Sequence, residues 1–387
     1  VCDLRGNVPT RIQKLKDGNY DAIILAAAGI NRLNLDLSGF HVEQMDPCSF
    51  IPAPAQGTLA IQIRKKDKEL AMQLKNVHDD VSGLTSAVER KILHLFDGGC
   101  LMPIGVYCTK DEDERFHIWV AKADSGEKPP AILNMVTNNP DEAPARIVQK
   151  FKKITPCSVF ITRNLRRDDY FANVLKGNGF VMEGNSLIET KRVEISAKFI
   201  PPKAGENINW IFFSSKQAID HFFAQAPNWK NVKYGVIGKE TAAILRKRGL
   251  HADFIGYSTD TKLTGRQFAA AVGSGKVLFP QARGSMKTVQ QQFNQPEQVI
   301  DLVVYETISH ENTTVPETDI LLFTSPSNVK AFFKNHRISP GKKVIAMGKA
   351  TANELEKNGV KRSFLPASFG DAGLAAAVFE ASVNIKN

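Results

Sequence analysis

Two decapeptides decide the fold of this chain: IFFSSKQAID at 211–220 and LLFTSPSNVK at 321–330. Each opens on an apolar run short enough for a buried strand, passes a pair of hydroxyl or small residues, and continues at helical spacing. Ser214-Ser215 stand at the junction in the first and Thr324-Ser325 in the second, displaced by 110 residues. The same displacement relates YGVIGKETAAILRKRGL at 234–250 to KVIAMGKATANELEKNGV at 343–360, matching Gly238 to Gly348, Thr241 to Thr351 and Gly249 to Gly359. One constant offset over several matched points marks a duplicated βαβ-type module. Repeated strand–turn–helix units from about residue 157 onward imply a doubly wound α/β fold.

In open α/β sheets, ligands lie outside the carboxyl ends of the strands. Helix amino termini there offer unpaired N–H groups and a partial positive charge, which suit carboxylates and phosphates. Ser214, Ser215, Thr241, Thr324, Ser325 and Thr351 fall at such positions, where a hydroxyl either caps its helix or binds an anion; the pattern leaves both readings open. Tyr305, in DLVVYETISH, follows an apolar strand at the junction of the repeat halves, so it is either a packed interface aromatic or a proton donor. The chain contains neither GxGxxG nor GxxxxGK[ST], which disfavours a dinucleotide or P-loop nucleotide.

Working back toward the amino end, the pattern changes. TRIQKLKDGNY predicts a short helix closed by Gly18, and DAIILAAAGI a buried strand running into a small-residue turn. TLAIQIR alternates like a strand after the Pro-rich PCSFIPAPAQG. KDKELAMQLKNV and LTSAVERKILHLF predict two helices, the second ended by Gly98-Gly99. GVYCTK, FHIWVAKAD and AILNMVT predict short strands, and DEAPARIVQKFKK a closing helix, together a small α+β unit. The polar KKITP stretch reads as a linker.

Bulk properties exclude more than they assign. With 43% hydrophobic and 23% charged residues the 387-residue chain is ordinary globular protein of two to four domains. It contains no apolar run long enough to span a membrane, and the opening VCDLRGNVPTR is neither a signal peptide nor a natural start. The five cysteines lack CxxC spacing, which points to a reducing, cytoplasmic setting. The eight histidines form no HxxxH or HExxH pair, so no metal is expected. The net charge of +10 is dispersed rather than gathered into a stripe. It argues against nucleic acid and suits a small polyanionic ligand.

VIGKETAAILRKRG, the FTSP of Phe323–Pro326, VLFPQARG and VVYET together resemble uroporphyrinogen-III synthase, over nearly everything from Cys157 on. The resemblance implies two flavodoxin-like domains joined by a two-stranded linker, with substrate held between them. The chain would cross twice, residues 156–198 plus 306–387 forming the first domain and 199–305 the second. Tyr305 occupies the position of that family's candidate proton donor. Ser215, Thr241, Ser325 and Thr351 fall where the family lines its cleft, and Ser214, Arg283 and Thr324 are expected to bind substrate with them.

RGNVPTRIQKLKDGNYDAIILAAAGINRL and ERKILHLFDGGCLMPIGVY resemble the distal part of hydroxymethylbilane synthase (porphobilinogen deaminase), over about residues 3–150. That resemblance implies partial deaminase domains over 1–75 and the cofactor-bearing α+β domain over 76–152. Cys100 matches the cysteine that carries a dipyrromethane cofactor as a thioether, in a turn that paired glycines keep tight. Arg5, Arg11 and Arg32 match arginines that hold carboxylates of the growing chain, a task suited to guanidinium forks. Ala55 departs from the family's PAPGQG glycine, and Gln62 from a common glutamate. The family's catalytic aspartate has no counterpart, so the deaminase half is expected to be truncated and unable to polymerise porphobilinogen alone.

The two resemblances together imply a fusion of consecutive tetrapyrrole enzymes. Its expected activity is cyclisation of a linear tetrapyrrole, hydroxymethylbilane, with inversion of the terminal ring. A two-lobed binding protein that clamps a tetrapyrrole or other small anion without chemistry is the alternative. Oligomeric state is not legible.

Overall fold

A computed structural model describes residues 2–96, 102–196, 199, 208–226, 229, 231–256, 261–310, 313–368 and 370–383. The chain forms two compact units, Val1–Asn185 with Pro316–Pro326 and Ile338–Asn387, and Ser186–Val315 with Ser327–Arg337.

The first unit begins with α1 (Val8–Lys16), α2 (Ala27–Leu33) and α3 (Lys68–Leu74), none of which buries a residue. Asn7 caps α1, its Oδ1 accepting the Thr10 N–H at 2.9 Å, and Gly18 turns the chain at φ +75° as the sequence predicts. The two strands expected here do not form. DAIILAAAGI runs unpaired into α2, and TLAIQIR lies unpaired with Leu59 86% and Ile61 65% exposed. Strand propensity becomes a strand only when a neighbouring ladder takes up the backbone groups, and among the described residues no strand adjoins these segments.

Burial starts at Val88 on α4 (Asp80–Leu95), whose N-cap Asp79 accepts the Ser82 N–H at 2.6 Å. β1 (Ile104–Lys110), β2 (Phe116–Lys122) and β3 (Ala131–Thr137) are the three short strands expected there, and they pair as an antiparallel meander, Val106 opposite Val120 and Val120 opposite Leu133. Their alternating apolar face packs with α4 and α5 (Ala143–Phe151), burying Ile92, Ile118 and Ile147 completely.

The parallel part follows: β4 (Ser158–Ile161), α6 (Tyr170–Gly177) and β5 (Val181–Gly184) in the first unit. The second unit holds β6 (Ile188–Arg192), β7 (Trp210–Phe213), α7 (Lys216–Phe223), β8 (Lys233–Ile237), α8 (Lys239–Lys247), β9 (Phe254–Gly256), α9 (Thr261–Val272), β10 (Val277–Ala282) and β11 (Val299–Ser309). The remainder is β12 (Ile320–Phe323), α10 (Pro326–Asn335), β13 (Lys343–Ala346), α11 (Lys349–Lys357) and α12 (Gly370–Ser382).

The duplication holds down to single residue pairs. In the second unit Ile211 lies opposite Tyr234, Phe213 opposite Val236, and Gly235 opposite Phe254. Adding 110 to each number gives the parallel pairs of the first unit: Leu321 with Val344, Phe323 with Ala346, and Ile345 with Phe364. The sheet orders are β6-β11-β10-β7-β8-β9 and β13-β12-β4-β5. Without the antiparallel β6, the first order places the parallel strands 3-2-1-4-5 by sequence. The sheet is doubly wound, as expected, but flavodoxin itself has the order 2-1-3-4-5. The other sheet has the same arrangement, with its fourth and fifth positions filled by β4 and β5 from earlier in the chain.

One helix decides how the first unit is built. Ten of the 13 residues of α12 are buried, around its whole circumference. One side packs on β12, β13 and α6 and the other on β3, so the meander and the parallel sheet share one apolar cluster. A helix apolar on every side is stable only with cover on every side. KKITP, expected as a linker, is fastened to the end of α12 by an Ile154–Val383 bridge, with a Lys150–Glu380 ion pair just before it.

Candidate functional site

A doubly wound sheet opens a crevice at the carboxyl ends of its strands, where the strand order reverses. In the second unit that point lies between β7 and β10. Ser214, exposed, and Ser215, half-buried, follow β7. Ser215 is the N-cap of α7: its Oγ accepts the Ala218 N–H at 3.2 Å. The same Oγ lies 3.2 Å from the Tyr305 Oη. Capping does not use up this hydroxyl, because one oxygen can accept the amide proton while its own proton is donated elsewhere.

Tyr305 reaches Ser215 because β11 carries one extra residue. Against β10, Gln281 pairs with Val303, but the next residue, Ala282, pairs with Tyr305. Val304 is the inserted position, and its carbonyl accepts the Val193 N–H at 3.0 Å. Strict alternation would send Tyr305 to the face opposite Leu302 and Val304. The shift instead gathers Leu302, Val304 and Tyr305 into one cluster with Ile219 and Phe222 of α7. Irregularities of this kind commonly re-aim a side chain at a functional site.

Two groups that sequence reasoning missed complete the surroundings. The His221 ring stacks on Tyr305 with centroids 5.2 Å apart and planes 16° from parallel. Its Nε2 lies 2.9 Å from the Thr190 Oγ1. Thr190 and Arg192 stand on β6 opposite Thr307 and Tyr305. His221 is 84 residues from Tyr305 in sequence, and nothing in KQAIDHFF distinguishes it from a histidine on a solvated helix face. With Tyr305 only 8% exposed and held by a ring and a hydroxyl, its phenol is fixed in direction. If Ser215 donates to Oη, the phenolic proton is left for an oxygen on a ligand.

The Arg283 N–H donates to the Tyr305 carbonyl at 2.8 Å, but its guanidinium Nε pairs with Glu306 at 3.0 Å. Glu306 alternates with Tyr305 along β11, so that ion pair occupies the other face of the strand. In the first unit, the Thr324 N–H donates to the Thr162 Oγ1 and its hydroxyl to the Thr162 carbonyl, both at 2.9 Å. Thr162, not anticipated from sequence, thus clamps β4 to β12 at their carboxyl ends. Ser325 follows, half-buried, ahead of α10. Thr241 and Thr351, 9% and 4% exposed, are buried within the first turns of α8 and α11.

Near the amino end, Cys100 lies outside the described residues. Arg5 is 89% exposed beside Asp3, and Arg32 is exposed in the last turn of α2. The Arg11 Nε donates to the Gly6 carbonyl at 2.7 Å. Ala55 adopts φ +59°, the left-handed region that its replacement of a family glycine would lead one to expect. Its N–H donates to Glu89 at 2.6 Å, and the other Glu89 oxygen accepts the Cys108 N–H at 2.7 Å. Burial raises the Glu89 carboxyl above its ordinary range, and the two N–H donors oppose that rise. Among the described residues no group of three or more His, Cys, Asp or Glu side chains could hold a metal ion, and no helix is long and apolar enough to cross a membrane.

The fold and site define a duplicated parallel α/β protein, in whose second unit a tyrosine meets a serine hydroxyl beyond the carboxyl end of β7. Residues 169–376 match the family model described as uroporphyrinogen-III synthase HemD, and the chain belongs to that family. Residues 1–72 match a second model, porphobilinogen deaminase, dipyromethane cofactor binding domain. A probable porphobilinogen deaminase of Methanocella arvoryzae is 49% identical over 112 residues, 29% of this chain and 36% of that protein. The porphobilinogen deaminase of Oceanobacillus iheyensis is 45% identical over 111 residues, again 29% and 36%. The chain thus spans about a third of the length of the curated relatives it matches. Among solved structures, a uroporphyrinogen-III synthetase from Helicobacter pylori aligns over 57% of this chain and 98% of its own, at 18% identity and a TM-score of 0.44. A mutant uroporphyrinogen III synthase from Thermus thermophilus aligns over 59% and 99%, at 14% identity and a TM-score of 0.38.

Proposed function

We propose that the part of the chain from about residue 156 onward closes hydroxymethylbilane to uroporphyrinogen III, with Tyr305 as proton donor. Family membership supports the reaction, and the Tyr305 Oη–Ser215 Oγ contact of 3.2 Å, at the level of the carboxyl ends of β7 and β10, supports the role of the tyrosine.

The chemistry asks little of the protein beyond position and one proton. The hydroxyl on the first ring's methylene leaves as water when Tyr305 protonates it, and the pyrrole becomes an electrophilic azafulvene. The last pyrrole attacks through its already substituted carbon, giving a spiro intermediate that opens and recloses with that ring reversed. One water is lost overall, so the phenol recovers its proton when the closing ring regains aromaticity. Ser215 holds the phenol in line, and the exposed Ser214 beside it serves one of the substrate's carboxylates. Holding a long substrate folded supplies much of the rate effect through orientation.

Porphyrin isomer analysis tests the proposal. Given hydroxymethylbilane, the purified chain should yield the type III isomer after oxidation. A protein that only binds the substrate leaves the spontaneous type I product, and that outcome would refute the reading.

For the amino-terminal segment the proposal is confined to cofactor attachment, with Cys100 as the thioether position and Arg5, Arg11 and Arg32 for the carboxylates. Three other cysteines are poor competitors. Burial pushes the thiols of Cys108 and Cys157 up to about 12 and that of Cys48 up to about 11, leaving little thiolate at neutral pH. Peptide mass spectrometry that places a dipyrromethane-sized adduct on Cys100 would support the assignment; a matured protein with Cys100 unmodified would end it.

A further inference from the structure

The antiparallel ladder between β6 and β11 sets Arg192 directly opposite Tyr305. Opposed residues share a face, with Cβ atoms about 4.5–5.5 Å apart. The face that carries the proposed proton donor therefore also carries a guanidinium. That guanidinium is engaged weakly: its Nε meets the Glu194 Oε1 at 3.2 Å, with the two side chains 53% and 79% exposed. An exposed pair of this kind contributes little and exchanges readily for another carboxylate. The Nε contact also leaves the terminal N–H groups of the fork available for a bidentate partner.

We infer that Arg192 is a carboxylate-binding residue, holding an acetate or propionate side chain of the pyrrole ring placed against Tyr305, with Glu194 as its internal competitor. The inference rests on the cyclisation reading above and adds to it a specific contact. The arrangement has a physical logic. Tyr305 is flanked by the His221 ring and the Ser215 hydroxyl, which direct the phenol but give no charge-assisted hold on an acidic substrate. Arg192 gives that hold from the neighbouring strand, on a ladder whose register sets its Cα opposite that of Tyr305. Arg283 does not duplicate it, because its guanidinium is on the other face of β11 with Glu306.

Steady-state kinetics with hydroxymethylbilane, scored by type III product, decides the matter. Arg192→Ala should raise KM about 10- to 30-fold and leave kcat within about threefold, since a contact made equally in ground and transition states acts on binding. Arg192→Lys should recover only part of the loss, because a point charge replaces the fork. Glu194→Gln should lower KM about two- to threefold by removing the competitor. Melting temperatures of all three variants should match the parent, as both side chains are exposed. An Arg192→Ala enzyme with KM within twofold of the parent overturns the inference, as does a loss carried by kcat alone. A parent protein that makes only the type I isomer overturns the cyclisation reading itself, and the role of Arg192 in it.

Discussion

Replacing Tyr305 by Phe separates the two roles that this ring combines. The substitution removes only Oη: the ring keeps its stack on His221 and its place among Leu302, Val304 and the α7 side chains. The lost contact is the 3.2 Å hydrogen bond to Ser215, whose Oγ still accepts the Ala218 N–H and is not left orphaned. The stability cost should thus stay near the low end for one hydrogen bond, about 0.5–1 kcal/mol, or a melting shift of about 2–4 °C. The catalytic cost should be far larger. Loss of a general acid slows type III formation by roughly 10- to 1000-fold, or about 1.4–4 kcal/mol in the barrier. The assay follows hydroxymethylbilane consumption and resolves the oxidised porphyrin isomers, so enzymatic closure is read apart from spontaneous type I formation. A variant that melts as expected but forms the type III isomer within twofold of the parent rate would show that the phenol is packing, not chemistry.

Three further outcomes are expected. Ala55→Gly should stabilise the protein by about 0.5–1 kcal/mol in thermal or denaturant melts, because a residue with a Cβ is strained at φ +59°; a loss of stability would mean that Glu89 does not hold the turn as described. Asp319 accepts both the Ser158 Oγ–H and N–H, at 2.6 and 2.9 Å, and these bonds, with the side-chain one first, hold its carboxyl below the usual range. A depressed carboxyl contributes stability above its unfolded pKa and loses it as pH falls through the folded one. Asp319→Asn should therefore lower stability near pH 7 by about 1–2 kcal/mol and flatten the acid limb below about pH 4, as read from melts across pH. Cys100→Ser should abolish any covalent adduct in the intact mass and leave type III formation unchanged.

The repeat in the sequence carried much of the architecture. Matching IFFSSKQAID to LLFTSPSNVK and Gly238 to Gly348 fixed two equivalent parallel modules, and the same offset holds in the strand register down to Phe254 and Phe364. That succeeded because strand–turn–helix units are written locally, in apolar runs, hydroxyl caps and helical periodicity. The meander of β1–β3 and its two helices were legible for the same reason. The strands read from the sequence at 21–30 and 58–64 do not form, because a ladder needs a partner that local pattern does not supply.

What the sequence determined by itself, then, was composition of the site: a tyrosine at the repeat junction and a hydroxyl pair after an apolar strand. Only the tertiary structure decided which of these meet. One inserted residue, Val304, turns Tyr305 toward α7, where Ser215 and His221 receive it, and pairing with β6 brings Arg192 alongside. Likewise only the tertiary structure shows that two different sheets cover α12. Register and coverage are properties of contacts between distant segments, and a chain read one residue after another does not contain them.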